Sequence, residues 1–319
     1  MKEEQEILQG VLENYGLVEA KTQLLGSLWN RVYRVEANNG HLYSLRLCPL
    51  AIQDRRSLEE ELVWLELIAS QQQVRVPRPV RNEQQALITT LSTAGSKRLS
   101  CLFEWVEGEP AKENLTSSVM RQIGQAVASL HQIAREFGGS FQENDFRSGY
   151  RYDSRLAASH RDWIEVHQAE IGVENVGLLD AAVTWLIEEL KCIGEANDNF
   201  GIIHADLHFG NFLVQGEQVS VIDFDQLGCG HYLYDLAVLM VELFTEVEDW
   251  AESWEDFKEG YQQIAALPFQ EEKEINPFVV GVNLAFLDWV YNSPNPAVRK
   301  QMGQRLPATF ESIKARVGA

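Results

Sequence analysis

Over the first third of the chain, short runs alternate apolar and polar residues, the period of half-buried strands. Val32-Tyr33-Arg34-Val35 reads as a strand, Asn38-Asn39-Gly40 as a hairpin turn, and residues 42–47 as the returning strand. On that return Tyr43, Leu45 and Leu47 share one face, while Arg46 lies on the other with Leu42 and Ser44. Ser57 with Glu60 forms a capping box, and Leu58, Leu62, Leu65 and Ala69 recur at helical spacing behind it. Pro77 and Pro79 close that helix. Residues 86–91 and 99–105 read as two further strands about a turn at Gly95.

After Pro110 the period changes to that of helices. Val119, Ile123, Val127, Leu130 and Ala134 form one apolar stripe, and residues 155–170, 178–193, 233–246, 254–264 and 277–291 are further helical stretches. The change falls at 103–110, where a strand gives way to Glu107-Gly108-Glu109-Pro110. The expected division is therefore a first lobe of residues 1–104 and a second of 105–319. The fold class is α+β: an antiparallel N-terminal sheet with one helix, then a larger, mainly helical lobe.

Composition narrows the function. The 319 residues carry 27 Lys and Arg against 47 Asp and Glu, a formal net charge of -20. Nucleic acid and anionic membrane both need a basic footprint, so neither is an expected partner. The same charge is compatible with a cationic substrate such as an amine, but solubility is the first explanation for it. Cys48, Cys101, Cys192 and Cys229 are far apart and show no metal-type pairing. The first ten residues lack a signal-peptide core, and the apolar run at 278–291 is broken by Asn283 and Asp288. A cytoplasmic location is expected.

The informative segment is Gly201-Ile-Ile-His204-Ala-Asp206-Leu-His208-Phe-Gly-Asn211, followed by Val219-Ser-Val-Ile-Asp223-Phe-Asp225. Short apolar strands at 212–214 and 219–222 flank the turn residues 215–218. A hairpin centred on Glu217 sets position 211 across from position 223, about 4.5–5.5 Å away for an antiparallel pair. Asn211 and Asp223 then meet as two oxygen donors, a set that suits Mg²⁺ together with phosphate oxygens and water. Asp206 sits just upstream, beside the pair without belonging to the hairpin. His204, Asp206 and His208 at alternate positions would instead suggest a metallohydrolase cluster, but that leaves Asn211 and Asp223 without a role. His204 is expected to brace the loop, His208 to lie on its surface, and His131 to be a satisfied core histidine. Asp225 is open between a second metal ligand and a turn residue. For Asp235, at the entry to an apolar helix, an N-cap is the simple explanation.

The spacing His-x-Asp-x-x-x-x-Asn followed by Asp-Phe-x resembles the catalytic and metal loops of kinases. Ala205 after the His, Asp225 after Asp-Phe, and Tyr234-Asp235-Leu236-Ala237 make the chain similar to the aminoglycoside phosphotransferase and choline kinase family of small-molecule kinases. Ser129-Leu130-His131 and the pair Arg46 and Glu61 extend the resemblance over most of the chain. It implies a bilobal protein-kinase-like fold, ATP and Mg²⁺ as cofactors, Asp206 as catalytic base, and Asn211 and Asp223 as metal ligands. It places Arg46 where kinases hold a phosphate-binding Lys, with Glu61 as its ion-pair partner. Phe103-Glu104-Trp105-Val106 resembles the hinge, so the backbones of Glu104 and Val106 would bind adenine. Gly26-Ser27-Leu28-Trp29-Asn30 stands in place of a Gly-rich loop, and Asp235 would support the catalytic loop from behind. The implied reaction is transfer of the γ-phosphoryl group to a hydroxyl of an amino-alcohol, amino sugar or aminoglycoside. A protein Ser/Thr kinase and an inactive nucleotide-binding module acting through protein partners are the alternatives. Tryptophans and acids in the C-terminal helices, such as Asp249, Glu252 and Asp288, are candidates for the acceptor pocket.

Overall fold

A computed structural model of the chain describes residues 2–26, 30–49, 55–92, 97–137, 151–196, 198–293 and 295–318. The expected turn at Gly95 and residues 27–29 of the phosphate-covering loop lie outside them. The first part contains α1 (Lys2–Glu13), β1 (Lys21–Gly26), β2 (Arg31–Glu36), β3 (Leu42–Pro49), α2 (Arg55–Gln71), β4 (Pro79–Val80), β5 (Thr89–Ser92) and β6 (Lys97–Glu104). The strands form an antiparallel sheet in the order β1-β2-β3-β6-β4, with β5 also on β6.

Strand alternation sends the two faces of this sheet to different partners. Tyr33, Val35, Leu45, Leu47 and Leu102 pack on Ile7, Leu8, Val11 and Leu12 of α1 as a small separate core. On the opposite face Cys48 and Cys101 join Leu58, Leu62, Leu65 and Ile68 of α2 in the main core. The helix α1 was not among the expected elements. The helix α2 begins at Arg55, so Ser57 lies inside its first turn and the expected capping box at Ser57 is not its start.

The second part comprises β7 (Glu109–Pro110), α3 (Ser117–Phe137), β8 (Arg151–Tyr152), α4 (Ser154–Ile171), α5 (Val173–Ile193), β9 (Phe200–Ile203), β10 (Phe212–Gln215), β11 (Gln218–Val221), β12 (Gly228–His231), α6 (Tyr232–Glu246), α7 (Trp250–Gln262), α8 (Asn276–Asn292), α9 (Pro296–Met302) and α10 (Leu306–Val317). The helices α3 and α7 cross so closely that both contribute a glycine. A Cβ on Gly124 would overlap the carbonyl of Phe257, and one on Gly260 would overlap that of Arg121. Strand β12 runs antiparallel to β9 and parallel to β8, filling the short interval between Asp223 and α6. No helix among the described residues is long and apolar enough to cross a membrane.

Candidate functional site

The site begins where β9 ends. His204 and Ala205 turn the chain out of the strand, with Ala205 in the left-handed region at φ 66°. That conformation is costly for a residue with a Cβ and persists only where neighbours over-determine it. Here they do. The Asp235 carboxylate, buried in the first turn of α6, accepts from the His204 amide at 3.1 Å and the Ala205 amide at 2.6 Å. His131 of α3 holds the same carboxylate through Nε2 at 3.1 Å, and its Nδ1 meets the Tyr261 hydroxyl at 2.9 Å. Asp235 thus lies under the loop, and the N-cap of α6 is His231. His131 is satisfied in the core, as expected.

His204 braces the loop from within. Its Nδ1 accepts from the Asp206 amide at 3.3 Å and its Nε2 donates to the Ile222 carbonyl at 3.0 Å, the pattern of a neutral ring. Burial lowers its pKa, and its ring packs on Phe224 at 4.4 Å. His208 does more than lie on the loop surface. Its Nδ1 accepts from the Gly210 amide, capping a 3₁₀ turn at Phe209–Asn211, while its Nε2 lies 3.7 Å from the Asp206 carboxylate.

That turn delivers Asn211. Its amide nitrogen donates to the Asp206 carbonyl at 2.8 Å and to the Asp206 carboxylate at 3.2 Å. With the nitrogen committed, the amide oxygen is the group left for a cation. The hairpin register differs from expectation by one residue. Phe212 pairs with Val221, and Asn211 accepts from the Ile222 amide, so Asn211 faces Ile222 and Asp223 lies one position beyond. Gly216, at φ 62°, takes the first place of a two-residue turn, which shortens the loop assumed from 215–218. Asp223 compensates by leaving the strand with φ 63°, its side chain exposed while Phe224 is buried beneath. The donor set is hard oxygen, a carboxylate and an amide, and fits a Mg²⁺ ion that keeps phosphate and water ligands. No cluster of three or more His, Cys, Asp or Glu among the described residues competes for a metal.

In the N-terminal sheet, Arg46 and Glu61 are both buried and joined, Arg46 Nη2 lying 2.7 Å from each carboxylate oxygen. Burial works against the Arg46 charge, but Glu61 and lesser neighbours, Asp225 among them, together outweigh it and hold the guanidinium charged. Asp225 in turn accepts from the side-chain amide of Asn30 at 3.1 Å, a contact between the end of the β1–β2 connection and the metal loop. The position of Asn30, just before an alternating strand, carries no signal for a partner so distant in the chain. Burial, then Asp223, raises Asp225 to about 8, and the same two causes raise Asp206 to about 7. The hinge is directly wired to the hairpin: after β6 the chain enters β7, whose Glu109 and Pro110 pair with Val214 and Leu213. At the hinge itself the Glu104 amide donates to the Arg78 carbonyl and the Trp105 amide to the Leu42 carbonyl. Among the proposed acceptor-pocket residues, Trp163 is buried and stacked on Tyr291, and Asp288 lies 3.5 Å from His160.

The sequence profile of the phosphotransferase enzyme family (APH) matches residues 22–270. The amicoumacin kinase of Bacillus subtilis (strain 168) is 22% identical over 280 residues, 86% of this chain and 78% of that protein. A microcompartment-associated aminopropanol kinase of known structure has a TM-score of 0.73 and 24% identity, over 98% of this chain and 95% of that one. An amicoumacin kinase solved in complex with AMP-PNP, Ca²⁺ and Ami has a TM-score of 0.80 and 17% identity, over 98% of this chain and 93% of its own. These structures share the kinase-like fold. With the family profile spanning most of its length, the chain belongs to the phosphotransferase enzyme family.

Proposed function

We propose that the protein transfers the γ-phosphoryl group of ATP, in a Mg²⁺-dependent reaction, to a hydroxyl of an amino-alcohol, amino sugar or aminoglycoside. The observation that carries this is the bond from Asn211 to Asp206, which ties a candidate metal ligand to a candidate base. Asp206 accepts the proton of the acceptor hydroxyl, and its raised pKa makes it a competent base near neutral pH. Asn211 and Asp223 hold the metal. Bound there, Mg²⁺ supplies charge neutralisation at the phosphate oxygens. Arg46, oriented by Glu61, faces the phosphates, and the backbones of Glu104 and Val106 face adenine, Glu104 with its carbonyl because its amide is already bonded. On this assignment residues 1–104 are the nucleotide lobe and 105–319 the catalytic and acceptor lobe. A protein acceptor is disfavoured because only a turn and β12 separate Asp223 from α6, too little for a long activation segment.

The test is phosphate transfer from Mg²⁺-ATP to a panel of small alcohols and amino-alcohols. Asp206→Asn is expected to lower kcat by about 10² to 10⁴ while nucleotide binding by calorimetry persists. Asp223→Ala is expected to weaken the Mg²⁺-dependent part of that binding. Transfer at the wild-type rate by Asp206→Asn would refute the assigned base.

A further inference from the structure

Asn30 and Asp225 bond to each other across 195 positions of the chain, and the two ends of that bond are not equally fixed. The Asp225 end is built into the second part of the molecule. Phe224 before it is buried against the His204 ring, and the Leu227 amide behind it closes a turn on the Phe224 carbonyl at 3.0 Å. Between them the Tyr152 hydroxyl of β8 donates to the Gln226 carbonyl at 2.9 Å, and the Tyr152 ring packs on Tyr234 of α6 at 4.6 Å. Asp225 therefore rides on a loop that is held from several sides.

The Asn30 end lacks such support. Strand β1 lies at the edge of the sheet, paired to β2, and all six of its residues are exposed. Its register shifts between Leu24 and Gly26, just before the connection to β2. The small core under the sheet takes Tyr33 and Val35 from β2 and, among the described residues, nothing from β1. Pairing fixes the place of β1 in the sheet, but no buried side chain fixes how far its end leans toward the second part. The bond from Asn30 Nδ2 to Asp225 Oδ2, at 3.1 Å, supplies that constraint. Asn30 Oδ1 is buried without a hydrogen-bond partner among the described residues, so the donor side alone orients the amide. Because Asp225 follows Asp223 so closely, the bond sets the end of the β1–β2 connection beside the loop proposed to hold the metal.

We propose that Asn30 is a positioning residue: by donating to Asp225 it holds the β1–β2 connection down on the nucleotide phosphates and slows nucleotide release. This rests on the phosphotransferase assignment above. Asp225 is the anchor and Asn30 the part that is placed, so loss of either group frees the same strand end.

The test has two arms. In the first, calorimetry and stopped flow follow binding and release of a non-hydrolysable ATP analogue with Mg²⁺. Asn30→Ala is expected to raise Kd about tenfold, mostly through faster release, while the nucleotide-free melting temperature stays near that of wild type. A merely structural hydrogen bond would do the reverse, lowering the melting temperature and leaving Kd in place. In the second arm, hydrogen exchange of the β1 amides is read without nucleotide, so that it does not depend on whether Asp225→Ala still binds. Exchange is expected to quicken to the same extent in Asn30→Ala and Asp225→Ala, and no further in the double variant. The proposal is overturned if Asn30→Ala binds and releases nucleotide like wild type, if β1 exchange is unchanged in either single variant, or if the two effects add. Failure of the phosphotransferase assignment is distinguishable: the wild type itself would then bind no Mg²⁺-nucleotide, whatever the exchange arm shows.

Discussion

At the scale of single residues, the Arg46–Glu61 pair shows how charge is kept inside a sheet. Both groups are almost completely buried, so neither can be removed alone without stranding the other. Glu61→Ala is expected to cost about 3–5 kcal/mol in urea denaturation. Arg46→Met combined with Glu61→Leu should recover most of that stability while the nucleotide KM stays raised. Recovery of both would mean that the pair serves folding alone. Much of this was legible beforehand: strand alternation put Arg46 on the face away from Leu45 and Leu47, and α2 could present only one of Glu59, Glu60 and Glu61 to it. The choice of Glu61 came from family resemblance, and the 2.7 Å contacts agree with it. What alternation could not supply was the tertiary partner of Asp225, since Asn30 comes from a loop with no periodicity to read.

At the scale of elements, the crossing of α3 and α7 ties packing to the catalytic loop. Tyr261 follows Gly260 directly and bonds His131, which bonds the Asp235 that holds Ala205 in its left-handed conformation. A methyl group at Gly260 forces the two helices apart, so Gly260→Ala is expected to destabilise the protein by about 3 kcal/mol. The same change should lower kcat, because the displaced Tyr261 releases one end of the network. A melting temperature and kcat both equal to wild type would show that the helices separate freely. The apolar stripe of α3 was visible in sequence, but a glycine contact between helices this distant in the chain was not. The hairpin between Asn211 and Asp223 was visible too, apart from one residue of register. Gly216 takes the first place of a two-residue turn, moving Asn211 from opposite Asp223 to opposite Ile222. The helix α1 escaped notice because its charges dominate, although Ile7, Leu8, Val11 and Leu12 have the spacing of a buried stripe.

At the scale of the whole molecule, buried histidines work against stability in acid. Burial lowers His131 and takes His231 down to about 4; the His231 ring lies between Phe200 and Phe278, and its Nδ1 has no hydrogen-bond partner among the described residues. Above the unfolded value of about 6.5, both states are neutral and these groups have no effect. As pH falls through that value, the unfolded chain takes up protons that the folded chain refuses, and stability declines until His231 protonates near 4. For His231 alone the loss across that window is on the order of 3 kcal/mol. Asp206 and Asp225, whose pKa values are raised, act in the opposite direction over the same window, so the histidine contribution is read as a difference: wild-type denaturation midpoints measured from pH 7 to 4 should fall relative to those of His231→Phe. An unchanged slope would assign the acid limit to other groups.

One more consequence concerns the short passage from Asp223 through β12 into α6. Protein kinases are commonly switched by ordering a long segment at this point. Here the passage is a turn and a strand locked between β8 and β9, and Arg46 and Glu61 are paired beyond it. Strand pairing on both sides thus leaves no long segment at this point for a modifying enzyme to order or release.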